Sequence, residues 1–227
     1  MSIQDELIIE QIEIGPMANF TYILGSRETR EVVIVDPAWD IDSLLKHIDE
    51  KDYQVVGALA THYHPDHVGG GMSGHNIVGV AELIESRSVK VYANKLEADG
   101  IKKVTGLSQS DIVRVESGDF LDVGTIRVEF LHTPGHTPGS QCFRIRKTLV
   151  SGDTLFIDGC GRVDLPGSNK EDMFHSLQKL KALPDDTLLL PGHNYSSVPN
   201  STMGEAKASN AYLNVRDLET WSQVMGV

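Results

Sequence analysis

The stretch Ala60-Thr61-His62-Tyr63-His64-Pro65-Asp66-His67 decides the reading of this chain. Four metal-ligating side chains, His62, His64, Asp66 and His67, fall within six residues. They follow directly on the apolar run Val55-Val56-Gly57-Ala58-Leu59-Ala60, which reads as a buried strand. A strand that ends in a tight polar loop can aim several side chains at one point. Imidazole and carboxylate are ligands for zinc and for iron, with imidazole common to both. The plain alternative, a solvated turn, fits poorly because no Lys or Arg is interspersed among these titratable groups.

A metal centre needs three or four ligands per ion, so further donors are expected at other strand ends. His136 lies in Thr133-Pro134-Gly135-His136-Thr137, just past the strand-like run Thr125–Leu131. Asp153 lies in Ser151-Gly152-Asp153-Thr154, after Thr148-Leu149-Val150. His193 lies in Pro191-Gly192-His193-Asn194, after Thr187-Leu188-Leu189-Leu190. Each follows a glycine at the end of an apolar run, where glycine lets the backbone turn sharply and approach closely. A single such histidine would read as structural; the repeated pattern reads as a site. His47, His75, His132 and His175 lack this setting, although His132 stands where it can support the loop of His136.

The ordered set His62-x-His64-x-Asp66-His67, His136, Asp153, His193 resembles the metallo-β-lactamase superfamily over nearly the whole chain. Gly152-Asp153-Thr154-Leu155-Phe156, Gly159-Cys160-Gly161-Arg162 and Gly192-His193-Asn194-Tyr195 are similar, within it, to two branches. These are glyoxalase II (hydroxyacylglutathione hydrolase) and the glutathione persulfide dioxygenases. The resemblance implies an α/β fold, a four-layer αββα sandwich of two mixed sheets with helices on both outer faces and metals at one edge. It implies that His62, His64 and His136 hold a first metal, that Asp66, His67 and His193 hold a second, and that Asp153 bridges them. Secreted β-lactamases often place Cys where Asp153 stands, and flavodiiron proteins place Glu where His64 stands, so neither of those chemistries is expected.

In the glutathione-using relatives, residues at the positions of Arg162 and Tyr195 contact glutathione, and the resemblance carries that role to them. Arg suits a carboxylate through paired hydrogen bonds. The plain readings are a surface ion pair of Arg162 with Asp164 and a half-buried packing role for Tyr195. Two departures bear on glutathione. Full-length glyoxalase II carries a helical C-terminal domain with basic residues, whereas after His193 this chain has only a short tail whose basic side chains are Lys207 and Arg216. Asp164 also stands where many glyoxalase II enzymes have an aromatic. The segment Asp164–Ser168 is more similar to uncharacterised bacterial relatives and, in part, to the dioxygenases.

At 227 residues the chain is expected to form one domain, residues 1–227, with a helical tail over about 203–227. A formal charge of −12 argues against nucleic acid as a partner, because neutralising phosphates takes a basic surface. The start Met1-Ser2-Ile3-Gln4-Asp5-Glu6 lacks a basic segment followed by an apolar one, so no signal peptide is expected. No apolar run is long enough to span a bilayer, and two cysteines, Cys142 and Cys160, make no disulfide framework. A cytoplasmic protein is the simplest expectation. Cys160 is either an oxidation-prone thiol beside the pocket or a small residue fitting a glycine-rich turn. Trp39 and Trp221 read as packing or surface aromatics.

Strands are expected over Leu7–Ile14, Phe20–Leu24, Val32–Val35, from Val55, Val89–Ala93, Ile112–Val115, Thr125–Leu131, Gln141–Ile145, Thr148–Val150 and Thr187–Leu190. Helices are expected from a cap at Asp40 to Glu50, over Ile77–Glu85, from a Ser168–Glu171 capping box to Leu183, and over 204–210 and 215–225. A short helix before Ser110 also fits. Gly70–Asn76 reads as a plain surface loop or a flap over the site. Two similar halves, each with strands, a ligand-bearing loop and a helix, suggest two sheets packed face to face.

The expected chemistry is hydrolysis of a thioester by hydroxide held between two zinc ions, with Asp66 both a ligand and the group that orients the hydroxide. The substrate is a small molecule, a glutathione conjugate being one candidate. The rival is an oxidoreductase: a persulfide dioxygenase with one Fe2+, held by His64, with or without His62, and by His136 and Asp153. A mixed zinc/iron centre, a lactonase or other ester hydrolase, and a non-catalytic metal-binding domain are further alternatives. The short tail leaves room for a homodimer partner to complete the pocket.

Overall fold

The computed structural model describes residues 6–72 and 74–226; the polar start, except for Glu6, lies outside them, as do Ser73 and Val227. In the first half the elements are β1 (Leu7–Ile14), β2 (Asn19–Ser26), β3 (Glu31–Val35), α1 (Ile41–Glu50), β4 (Gln54–Leu59) and the single-turn α2 (Pro65–Val68). They continue with β5 (Gly70–Met72), β6 (His75–Ile77), α3 (Val80–Arg87), β7 (Val91–Asn94), α4 (Ala98–Thr105) and β8 (Ile112–Val115). The second half holds β9 (Phe120–Val123), β10 (Ile126–His132), β11 (Gln141–Ile145), β12 (Thr148–Gly152), α5 (Lys170–Lys181), β13 (Leu188–Pro191), β14 (Ser201–Thr202), α6 (Met203–Ser209) and α7 (Leu218–Met225).

Two six-stranded sheets form, ordered β1-β2-β3-β4-β7-β8 and β14-β13-β12-β11-β10-β9. Both are mixed: β3, β4, β7 and β8 run parallel, as do β12 and β13, and the other neighbours are antiparallel. The strands are apolar runs rather than alternating ones because both of their faces are covered. In β3, Val33 and Val35 point into the core between the sheets, with Leu59 from β4, Phe130 from β10, Phe143 from β11 and Leu190 from β13. Val32 and Ile34 point the other way and pack against Ile41, Leu44 and Ile48 of α1 and Leu83 of α3. The second sheet repeats this, with Leu149 and Leu189 packed outward against Met173 and Leu177 of α5, Met203 of α6 and Trp221 of α7. The layers are therefore αββα, as expected.

Several boundaries differ from the sequence reading. Ile77 ends a strand, and the helix expected from it starts at Val80, where the Glu82 carboxylate accepts from the Gly79 amide at 2.7 Å. Gly70–Asn76 is mostly a two-stranded hairpin, β5 with β6, rather than a loop. Asn169, not Ser168, caps α5: its side-chain oxygen accepts from the amides of Glu171 (2.9 Å) and Asp172 (3.1 Å). Ser168 instead donates to the Leu165 carbonyl. Strand β9 carries no strong apolar pattern of its own and is fixed by pairing with β10.

Trp221 is fully buried rather than superficial, and its indole donates to the Lys170 carbonyl at 2.6 Å, which fastens the tail to the start of α5. Trp221→Ala should cost about 3–5 kcal/mol of unfolding free energy, the usual cost of emptying a large aromatic site. Urea unfolding followed by circular dichroism measures it.

Candidate metal centre

The metal-loop residues follow β4 along a backbone that the sequence shapes. Pro65 holds His64 extended and occupies the first position of α2, where its missing N–H costs nothing. His62 and His64 thus project from extended chain, while Asp66 and His67 project from the helical turn that follows. The other three donors come from the ends of strands in the second sheet: His136 after β10, Asp153 after β12, His193 after β13. Gly152 makes the turn into Asp153 at φ +50°, tight against Thr61. A side chain at Gly192 would sit 2.4 Å from an Asp153 oxygen, so glycine there lets the carboxylate in. The sheets meet at this edge: Phe20 N–H donates to the Gly192 carbonyl at 2.8 Å, and Asn194 N–H to the Ala18 carbonyl at 2.8 Å.

All seven side chains meet at one point. His62 Nε2 lies 3.0 Å from His64 Nδ1, which lies 3.0 Å from His136 Nε2. Asp66 Oδ2 lies 3.3 Å from His67 Nε2 and 3.5 Å from His193 Nε2, and those two nitrogens are 3.1 Å apart. Asp153 faces both triads, 3.6 Å from His136 Nε2 and 3.4 Å from His67 Nε2 and from His193 Nε2. The edge of a tetrahedron with bonds of about 2.0–2.1 Å is about 3.3 Å, so these spacings suit ligands sharing an ion. Among the described residues, Asp153 Oδ1 is a buried oxygen with no hydrogen-bond partner, as expected of an atom meant for a cation.

The outer nitrogens explain why the inner ones carry lone pairs. His67 Nδ1–H donates to Asp36 Oδ2 (2.9 Å), His136 Nδ1–H to the Arg162 carbonyl (2.9 Å) and His193 Nδ1–H to the Met17 carbonyl (3.0 Å). Thr61 Oγ1 gives its proton to Asp36 Oδ2 (2.6 Å) and so accepts from His62 Nδ1–H (3.0 Å). In each ring the donated proton leaves Nε2 free to ligate. Burial pushes His62 well below the usual imidazole range, with the neighbouring histidines adding to the effect. Burial, then His136, brings His64 down to about 4. Burial opposes ionisation of Asp66 and Asp153, but the charge of His67 first, then of His193, holds both carboxyls low. Burial alone would lower His67; Asp66 and Asp153 reverse that and favour a proton, which a bound cation would replace.

Four supporting residues escaped the sequence reading. Asp36 is buried at the end of β3 and also accepts from the Thr61 amide at 2.7 Å. A detectable signal existed, an Asp directly after a fully buried run, but no glycine precedes it. Asn19 Nδ2 donates to Asp66 Oδ2 at 3.0 Å. Trp39, read as a packing or surface aromatic, donates from Nε1 to Asn19 Oδ1 and to the Asp66 carbonyl, both at 3.1 Å. Glu97, fully buried in a polar stretch with no local signal, accepts from Tyr63 N–H (2.8 Å), Thr137 Oγ1–H (2.9 Å) and Gly139 N–H (2.6 Å). It thereby clamps the loops of His62/His64 and His136 together. His132 Nε2 meets the Pro138 carbonyl at 2.9 Å and supports the His136 loop, as expected.

A cleft of about 390 Å³ opens over the cluster, walled by Met17, Met72, Phe156, Leu165, Arg162 and Tyr195. Tyr195 stacks on His193 with ring centres 4.6 Å apart, and is 58% exposed rather than half-buried. Arg162 makes the ion pair with Asp164 that the sequence left open. Cys160 is half-buried against the outer core of the second sheet, and burial pushes its thiol up to about 12, which disfavours the thiolate.

The sequence model of the metallo-β-lactamase superfamily matches residues 14–193. The chain belongs to this superfamily. Its relatives in the superfamily include a probable polyketide biosynthesis zinc-dependent hydrolase of Bacillus velezensis, 30% identical over 89% of this chain and 84% of that protein. The human mitochondrial persulfide dioxygenase ETHE1 is 30% identical over 97% of this chain and 81% of its own length. A hydroxyacylglutathione hydrolase of Polaromonas is 35% identical over 83% of this chain and 67% of its own. In structure, ETHE1 from Myxococcus xanthus superposes with a TM-score of 0.81 at 28% identity, covering 96% of this chain and 90% of that one. The superfamily thus holds both hydrolases and a dioxygenase, and among the described residues no helix is long and apolar enough to cross a membrane.

Asp36→Asn removes the charge that holds His67 and Thr61 while keeping the side chain's shape. It should weaken metal retention by about 10- to 100-fold, as loss of an outer-shell partner typically does. Competition against a fluorescent chelator reads this out, with far-ultraviolet circular dichroism unchanged.

Proposed function

We propose that the protein is a binuclear metal-dependent hydrolase of thioesters. The observation that carries this reading is the Asp153 carboxylate, within 3.6 Å of donors in both triads and otherwise unsatisfied at Oδ1. A carboxylate so placed suits two ions better than one. In this reading His62, His64 and His136 hold the first metal, Asp66, His67 and His193 hold the second, Asp153 bridges, and zinc is the metal. Bound there, the metals would lower the pKa of a water to about 7 and polarise the scissile carbonyl.

The chain's own residues supply the rest. Asp66 Oδ2 accepts from Asn19 and faces the ligating nitrogens of His67 and His193, so it is the oxygen that would hold the second metal, and Oδ1 would be left to accept from the attacking water and aim it. The walls of Met17, Met72, Phe156 and Leu165 exclude bulk water from the acyl half. Arg162 and Tyr195 border the cleft, and in this reading they contact the substrate. A thiolate leaves readily and needs little help from an acid, which suits a thioester.

A second reading, an iron persulfide dioxygenase, is favoured by the likeness to the human enzyme along 97% of this chain. The first reading expects close to two zinc ions per chain in protein purified without a metal-affinity tag. Asp66→Ala and His67→Ala should each lower the content to about one ion. Thiol release from small thioesters should then fall by more than the roughly hundredfold that outer-shell losses carry. Full turnover in either variant would sink the two-metal reading. One iron per chain with oxygen uptake on glutathione persulfide would establish the second.

A further inference from the structure

Beside the cleft, and continuous with it through Phe156, Arg162 and Tyr195, lies a larger open groove of about 560 Å³. One wall is the turn Asp158–Asp164; the opposite wall is the tail, through Tyr212 and Met225. On the thioester reading, this continuity gives the departing thiol half room to extend into the groove. Among the described residues, the charged side chains lining it are Asp158, Arg162 and Asp164, one cation against two anions.

The single cation is already engaged. Arg162 Nε meets Asp164 Oδ1 at 2.9 Å and Nη2 meets Oδ2 at 2.8 Å, a paired arrangement that uses both carboxylate oxygens. The two residues stand two positions apart in the chain, so Asp164 is always at hand to compete with a carboxylate arriving from solution. The tail offers no replacement through Lys207, which is turned to Asp185 and the Leu183 carbonyl. Apart from Ser196, the other side chains of the wall are mostly apolar or aromatic, among them Phe156, Val163, Tyr195 and Tyr212.

Building on the thioester reading, we infer that this groove selects thiols that are neutral or cationic over anionic ones, and that Asp164 sets the preference by occupying Arg162. Asp164 is a specificity-determining residue that acts through Arg162, not a catalytic one. Arg162 holds His136 through its backbone carbonyl, so changes to its side chain leave that contact in place.

The test uses S-lactoylglutathione and its diethyl ester, which share acyl group and thiol skeleton but differ in the two carboxylates. Initial thiol release by the metal-loaded full chain gives kcat/KM for each. The wild type should favour the diethyl ester by up to about fivefold, the upper end of what one exposed ion pair is worth. In Asp164→Asn the ratio should fall about fivefold through a gain on the free acid, and Asp164→Asn with Arg162→Gln should abolish that gain. A wild-type preference for the free acid, or a ratio unmoved by Asp164→Asn, overturns the inference while the thioester reading stands. Thiol release from neither ester overturns both.

Discussion

Five imidazoles and two carboxylates are held with their lone pairs facing one another at 3.0–3.6 Å. Such a cluster repels itself unless a cation or protons lie inside it, so the fold must hold it together at a cost. Much of the structure at this edge serves that purpose. Asp36, Thr61 and the carbonyls of Met17 and Arg162 take the outer imidazole protons, and each of those bonds turns a lone pair inward. Glu97 and Trp39 fasten the loops that carry the ligands. Because these supports come from β3, the β1–β2 turn, α4 and the loop before α5, the site depends on both sheets at once.

The layering makes this possible. Parallel neighbours β3 and β4 end together, and so do β12 and β13, so one edge collects four strand ends from two sheets. Strands buried on both faces can be short and still rigid, since each side chain loses water on one core or another. Ligands set on such ends inherit that rigidity, and pre-set ligands lose little entropy when an ion arrives. The same logic places Gly152 and Gly192, where a Cβ would push Thr61 or Asp153 out of position.

The sequence exposed the ligands because each sits after an apolar run in a short polar turn, and local pattern suffices to find such residues. The layers were legible for a related reason: runs such as Val32–Val35 and Leu188–Leu190 are apolar at every position, which only double-sided burial explains. The supporting residues were not legible. Glu97 belongs to a polar stretch and gains meaning only from amides 34 and 42 residues away. Asn19 and Trp39 act on Asp66 across separations of 47 and 27 residues. The hairpin β5–β6 and strand β9 take their form from pairing rather than from their own residues. The cap of α5 went to Asn169 because the chain is extended there, whereas Ser168 turns back to Leu165.

Metal chemistry of this kind is general, and what distinguishes members of such a superfamily lies in the walls beside it. Here the tail is part of a wall: α7 is fastened through Trp221 to α5, which sets Met225 and Tyr212 opposite the turn that carries Arg162. The charge of that wall follows from one local fact. Asp164 stands near enough to Arg162 to neutralise it before any substrate arrives, and Asp158 adds a second negative charge. A groove built this way gains its affinity from aromatic and apolar contact instead of from attraction to carboxylates. On the inference drawn from Asp164, glutathione, which carries two carboxylates, would be a poor match for the groove even though the ligand loops resemble those of glutathione-using enzymes. The site and its specificity are written in different parts of the chain, and likeness in the first does not carry the second.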